Sequence, residues 1–220
     1  MSLIVRDKDS LLLNVEERGH KGSCIYTISN VMTEKQCDYV VDYIKNNSSL
    51  YNRSPLSNYS NVECDFINVT KTIPEFETID SLLFDTTRKI LLKLRYTKPN
   101  FKGQKDSGFT LRKIFGGTKL HADGVHSKTG GFRDFVRSLS IIVVLNDDYD
   151  GGVFNFPNQE LNIRVKKGEA ILFPPYWTHP HSVSSVGEGQ ARYTFNTWIL
   201  ENFSNMIGNN IKMIGNNIKN

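Results

Sequence analysis

SLSIIVVLNDDYDGGVFNFP, residues 138–157, decides the fold. A run from Ser138 to Leu145, centred on the β-branched Ile141 to Val144, breaks at Asn146 to Gly152. A second short apolar run follows, from Val153 to Pro157. Branched and aromatic side chains suit a pleated strand, and Asn, Asp and Gly suit the turn between two strands. Working outward, the same alternation recurs. FTLRKIF (109–115) precedes this stretch, and LNIRV (161–165), EAILFPP (169–175), HSVSSV (181–186) and ARYTFNTWIL (191–200) follow it. Gly116-Gly117, Gly130-Gly131, Gly168 and Gly187 to Gly189 punctuate the series. Seven short β-rich runs at this spacing predict a sandwich or barrel.

The first half of the chain reads differently. CIYTISNV (24–31) is a short strand. In TEKQCDYVVDYIKNN (33–47), Thr33 followed by Gln36 forms a capping box, so a helix starts at Glu34. Val40, Val41 and Ile44 supply its buried stripe. Residues 48–66 are polar and irregular and read as a loop. INVTKTI (67–73) reads as a strand ahead of Pro74. A second helix is expected over 75–96, where Phe76, Ile79, Leu83, Ile90 and Leu94 recur at helical spacing. Helices first and strands afterwards predict an α+β, mainly β fold with helices backing one face of a sheet. The expected division is a support region at 1–106, a core at 107–201 and a tail at 202–220. MIGNNIK occurs twice in that tail, at 206–212 and 213–219. A Gly-Asn-Asn centre is a poor helix former, so a flexible segment is expected.

Composition narrows the setting. The chain has 220 residues, 39% hydrophobic and 23% charged, enough to bury a core without disulfides. No apolar run approaches the roughly 18–20 residues that cross a bilayer, so no membrane partner is expected. The N-terminus lacks the features of a signal peptide. Cys24, Cys37 and Cys64 form no C-x-x-C pair and are read as free thiols in a reducing cytosol. Localisation is expected to be cytoplasmic; the high Asn, Lys and Ile content suits a virus-encoded protein in a host cytoplasm. The net charge of +4 owes much to Arg88, Lys89, Lys93, Arg95, Lys98 and the basic residues up to Lys113. This stretch is read as a solvated helix face and loop, not a nucleic-acid surface.

Chemistry concentrates in KLHADG (119–124) and WTHPHSV (177–183). Residues i and i+2 at the end of a strand point to one side, so His121 and Asp123 converge on one ion. The third ligand is His181 or, as the alternative, His179, which Pro180 biases toward extended or turn geometry. Two imidazoles and one carboxylate describe a mononuclear iron(II) site with three open positions. Arg192 lies in the strand after His181. A guanidinium at that depth needs an anionic partner, either a ligand carboxylate or a protein carboxylate.

These elements, in order, resemble the 2-oxoglutarate and Fe(II)-dependent dioxygenases, in their prolyl 4-hydroxylase-like branch. ISNVMTEKQCDYVVDYI is similar to the family's opening strand and helix, and LRKIFGGTKLHADG to its first metal-binding strand. RSLSIIVVLNDDYDGGVFNFP and KKGEAILFPPYWTHPHSVSSVGEGQARYTFNTWI resemble its central and second-histidine segments. The resemblance implies a double-stranded β-helix, or jelly roll, with helices packed outside. It implies that His121, Asp123 and His181 hold iron. Arg192 then grips the distal carboxylate of 2-oxoglutarate, with Ser140 nearby. Two features depart from the pattern. Phe115 stands where a tyrosine commonly contacts the co-substrate, and the interval from His181 to Arg192 is about one residue longer than usual.

The implied activity couples decarboxylation of 2-oxoglutarate by O2 to hydroxylation of a peptidyl proline or another protein residue, with ascorbate as an accessory reductant. The alternatives are hydroxylation of a free amino acid or small metabolite, and a non-catalytic jelly-roll binding module. Nucleic-acid demethylation is set aside because no second arginine follows Arg192 closely. GVHSKTGGFRDF (124–135) is expected to form a mobile lid, with Phe132 or Arg133 touching substrate, or else a plain strand connection. Tyr176 and Trp177 are candidates to line the same mouth.

Overall fold

The computed structural model describes residues 13–55, 63–98, 101, 103, 105–124 and 135–202. In chain order the elements are β1 (Val15–Glu17), β2 (Tyr26–Ile28), α1 (Glu34–Asn46), β3 (Asn52–Pro55), β4 (Glu63–Asn68), α2 (Phe76–Thr97), β5 (Lys105–Asp106), β6 (Thr110–Ile114) and β7 (Thr118–His121). They continue with β8 (Phe135–Val144), β9 (Phe154–Phe156), β10 (Leu161–Ile163), β11 (Ala170–Phe173), β12 (His181–Val183) and β13 (Arg192–Asn202).

α1 begins where its capping box requires. Gln36 N–H donates to Thr33 Oγ1 at 3.3 Å, and Thr33 N–H donates to Gln36 Oε1 at 2.9 Å. Cys37, Val40, Val41, Tyr43 and Ile44 form its buried stripe. α2 buries Ile79, Leu82, Leu83, Ile90 and Leu94. No helix among the described residues is long and apolar enough to cross a membrane.

Two antiparallel sheets carry the fold. The larger runs β1-β2-β11-β8-β13-β6-β4-β3, with β5 added beside β13; the smaller runs β10-β9-β12-β7. Strand alternation sorts the large sheet's side chains onto two layers. On one face Ile141, Val143, Ala170, Leu172, Tyr193 and Phe195 join the buried residues of α1 and α2. On the other, Val144, Ile171 and Phe173 meet Phe154, Phe156, Ile163 and Val183. The helices thus back one face of the large sheet, and the small sheet closes over the other, giving the expected jelly roll. Phe154, Phe156 and Phe173 are fully buried. At about 1.5–3 kcal/mol per buried aromatic or aliphatic side chain, this layer does most to hold the two sheets together.

Two strand expectations need correction. The stretch 48–66, read as a loop, contains β3 and the start of β4, and the strand expected at 67–73 occupies Glu63–Asn68 instead. Here ECDFIN gains its order from pairing with β6, with Cys64 opposite Ile114 and Ile67 opposite Leu111. Beyond Asn68 the chain turns, with Ile73 N–H donating to Thr70 O at 3.1 Å. β7 forms where His121 was expected at a strand end, although TKLH has no apolar alternation and lies at the edge of the small sheet. The expected lid residues Phe132 and Arg133 and the MIGNNIK repeats lie outside the described residues.

Candidate metal and co-substrate site

β7 and β12 build the centre of the site. Their antiparallel register sets His181 directly opposite His121, and the ring centroids are 4.4 Å apart. Asp123 follows two residues after His121. One donor atom from each of His121, Asp123 and His181 lies within 4.8 Å of the others. His121 Nε2 is 3.4 Å from Asp123 Oδ1.

Backbone carbonyls orient both rings. Nδ1–H of His121 donates to Lys119 O at 2.8 Å, and Nδ1–H of His181 donates to His179 O at 3.2 Å. A carbonyl only accepts, so each Nδ1 carries a hydrogen and Nε2 is the nitrogen left to bind an ion, once His121 Nε2 gives up the hydrogen it shares with Asp123. Asp123 is held from three sides. Its Oδ2 accepts from Ser140 Oγ at 2.8 Å and from Trp198 Nε1 at 3.3 Å. Its carbonyl accepts from Arg137 Nη1 at 2.7 Å. The Arg137 guanidinium in turn lies 3.7 Å from the centre of the Trp198 ring.

The charge states suit a cation. Burial would raise the pKa of Asp123, but the His121 hydrogen bond and the His181 charge outweigh it and hold the carboxyl well below the usual range. For His121, burial acts downward, yet its hydrogen bond and charge interaction with Asp123 win and its pKa is raised. Burial dominates at His181 and lowers its pKa.

His179 takes no part in this cluster. It is buried, with Nε2 2.8 Å from Ser23 O and Nδ1 2.9 Å from Thr178 Oγ1. Both ring nitrogens are committed to structure, and its carbonyl orients His181. Ser140 also differs from its expected place near a distal carboxylate. Its hydroxyl donates to Asp123, which makes it a positioning residue for that carboxylate.

Arg192 opens β13 on the face that meets the small sheet. It is 4% exposed, and burial pushes its guanidinium down to about 10. Its carbon centre lies 5.2 Å from the Phe154 ring centroid. Nε and Nη1 have no hydrogen-bond partner among the described residues. A buried, unpaired guanidinium costs several kcal/mol, so this position calls for an anionic ligand.

Sequence reasoning missed Arg137 and Trp198. Both lie on the face that already carries marked residues. Trp198 is directly opposite Ser140 in the β8–β13 register, so strand parity pointed at it.

Comparison with known proteins agrees with this geometry. Residues 111–200 match the family model of the 2OG-Fe(II) oxygenase superfamily. The matched stretch spans His121, Asp123, His181 and Arg192, and the fold is prolyl hydroxylase-like. Among solved structures, it is similar to the viral collagen prolyl hydroxylase of Paramecium Bursaria Chlorella virus-1 in complex with 2OG. The TM-score is 0.59 at 20% identity, over 81% of this chain and 96% of that one. It is also similar to a Trichoplax adhaerens prolyl hydroxylase in complex with a hypoxia inducible factor peptide. There the TM-score is 0.63 at 16% identity, covering 81% and 84% of the two chains. A Pseudomonas putida prolyl-4-hydroxylase gives a TM-score of 0.58 at 15% identity, covering 81% and 92%. No curated protein matches the chain by sequence.

The residues present fit the family's cofactors. Two neutral imidazole nitrogens and a carboxylate suit Fe(II), and an orphaned buried guanidinium suits the far carboxylate of 2-oxoglutarate.

Proposed function

We propose that this protein is an Fe(II)- and 2-oxoglutarate-dependent hydroxylase of a peptidyl proline. The observation that carries this reading is the convergence of His121, Asp123 and His181 on one point of a fold that also buries an unpaired Arg192. His121, Asp123 and His181 would hold the metal. Arg192 would hold the distal end of the co-substrate. The bound iron, with 2-oxoglutarate and O2, supplies the oxidising power for C–H hydroxylation. Overall, 2-oxoglutarate, O2 and substrate give succinate, CO2 and hydroxylated substrate.

The protein's own part is orientation and exclusion. Lys119 and His179 carbonyls fix the imidazoles, and Ser140 and Trp198 fix the carboxylate. The aromatic layer of Phe154, Phe156 and Phe173 keeps water from the inner side. A peptide substrate suits the outer side. Trp177 is 82% exposed and Leu120 57% exposed. Tyr176 donates to Arg137 O at 2.5 Å, so the Tyr176–Trp177 pair borders the residues that hold Asp123. Exposed aromatic rings offer stacking surfaces for proline rings and an extended backbone. The peptide complex of the Trichoplax neighbour supports the same substrate class.

The test is anaerobic loading with Fe(II), then aerobic turnover against proline-containing peptides and a panel of free amino acids. The expected result is succinate release matched by one added oxygen atom on a peptide proline. Turnover with the amino-acid panel alone would overturn the peptide assignment.

A further inference from the structure

The apolar layer between the two sheets contains no residue of β4 or β6. Those strands carry the large sheet past β13, and they hold a separate small cluster of Cys64, Ile114 and Phe66. Arg112 stands in the middle of this stretch. It lies directly opposite Thr194 of β13 and directly opposite Phe66 of β4. Residues opposite one another in neighbouring strands share a face, and so do alternate residues of one strand. Arg112 therefore shares a face with Arg192, Thr194 and Trp198, one strand spacing of about 4.8 Å from their row. Trp198 Nε1 donates to Asp123 Oδ2 at 3.3 Å, so this face looks onto the metal ligands.

Three arginines thus border the cleft, and two of them are committed. Arg137 donates to Asp123 O at 2.7 Å and lies against the Trp198 ring. Arg192 is buried deepest and is the cation assigned above to the co-substrate. Arg112 has neither role. It is half-buried, and among the described residues it makes no hydrogen bond and no ion pair. The Thr194 hydroxyl opposite it donates to Asn196 Oδ1 at 2.8 Å. The Arg112 charge is nonetheless felt at the site. Burial pushes the Arg137 guanidinium down, Asp123 opposes the fall, and Arg112 adds to it.

The balance of charge says what such a cation is for. From Arg192 to Trp198, and on the facing positions of β4 and β6, no side chain on this face is a carboxylate. Bound Fe(II) and 2-oxoglutarate carry opposite double charges and cancel. The three arginines, set against Asp123, then leave the loaded cleft positive. A positive cleft favours a negative substrate. The guanidinium fork of Arg112 matches a carboxylate, and the Phe66 ring beside it offers apolar surface to the neighbouring residues of a peptide.

We propose that Arg112 binds a carboxylate side chain of the substrate, so that the enzyme selects a proline with Asp or Glu close to it in the peptide. This deepens the function proposed above and rests on it.

The experiment uses proline-centred peptides with blocked ends, in sets that carry Glu, Gln or Lys at one position near the proline. Binding is measured by calorimetry to the protein loaded with Mn(II) and 2-oxoglutarate, and turnover is followed with Fe(II). Wild type is expected to bind the best Glu peptide about tenfold more tightly than its Gln twin, a preference that shows in KM and not in kcat. Arg112→Gln should bind the two alike, with the melting temperature and Mn(II) affinity of wild type. Arg112→Glu should reverse the order and favour the Lys peptide, a swap that a merely structural arginine would not give. Equal wild-type affinity for the Glu and Gln peptides at every position would overturn the Arg112 assignment alone. So would a Glu preference that survives Arg112→Gln in the folded protein. A wild-type protein that binds these peptides and hydroxylates none of them would overturn the functional reading instead.

Discussion

His121 and His181 face each other across the β7–β12 strand pair, ring centroids 4.4 Å apart, each turned by a carbonyl on its Nδ1. This pairing brings distant parts of the chain to one point. It also separates the two histidines of the His-Pro-His segment by role, because only His181 faces β7.

His181→Ala should abolish Mn(II) binding measured by calorimetry, with the fold retained. His179→Ala should behave oppositely. It keeps the carbonyl that orients His181, so metal affinity should stay within a few-fold of wild type. It also strands buried groups near Ser23 and Thr178, so stability should fall by about 1–3 kcal/mol in denaturant unfolding. Loss of metal binding in His179→Ala with an intact fold would reverse the ligand assignment.

Asp123 owes its aim to Ser140 and Trp198. Ser140→Ala and Trp198→Phe should each weaken Mn(II) by about 10–100-fold, the usual range for groups that orient a metal ligand. Unchanged affinity in both would show that these hydrogen bonds do not position the carboxylate.

The pH dependence follows from the two histidine shifts. His121 has a raised pKa, so it holds its proton to higher pH than an ordinary histidine, and a metal must displace that proton. His181 has a lowered pKa and competes less. Mn(II) affinity should therefore climb between pH 6 and pH 8, on the order of tenfold per unit below the His121 pKa, and then level off. The metal-free protein runs the other way. The stability contributed by His121 is present below its unfolded-state pKa and lost as pH rises through the raised folded value. Calorimetric titrations at several pH values check the first trend, and denaturant melts the second. A flat affinity profile would contradict the charge assignments.

Much of this was legible in the chain. The inner strands were, because Ile141 to Val144, all but the half-buried Ile142, and Ala170 to Phe173 are buried and read as unbroken apolar runs. The Thr33–Gln36 box fixed the start of α1 because capping is local chemistry. β3, at the edge of the large sheet, and β4 beside it were not legible, since they draw their order from their neighbours and NRSP carries no period of two; β7 was legible only through its His-x-Asp motif. Among site residues, the metal triad stood out as a motif, and Arg192 as a charge too deep to stand alone. The role of Ser140 was misplaced because sequence cannot tell which of two nearby carboxylates a hydroxyl will meet.

The cysteines give an independent check on the core. Burial pushes the Cys37 and Cys64 thiols up to about 11, whereas Cys24 is exposed. At pH 8 a thiol with such a pKa is only about 0.1% thiolate, and both are sterically shielded. Iodoacetamide should label one cysteine in the native protein, and all three once it is unfolded. Rapid native labelling of Cys37 or Cys64 would contradict the packing of α1 or β4.

The most direct test of the central claim is spectroscopic. Anaerobic protein mixed with Fe(II) and 2-oxoglutarate should develop a weak visible charge-transfer band that is absent in His181→Ala and weakened in Arg192→Met. A folded wild-type protein that gives no such band would contradict the assignment of His121, Asp123 and His181 to a common iron site.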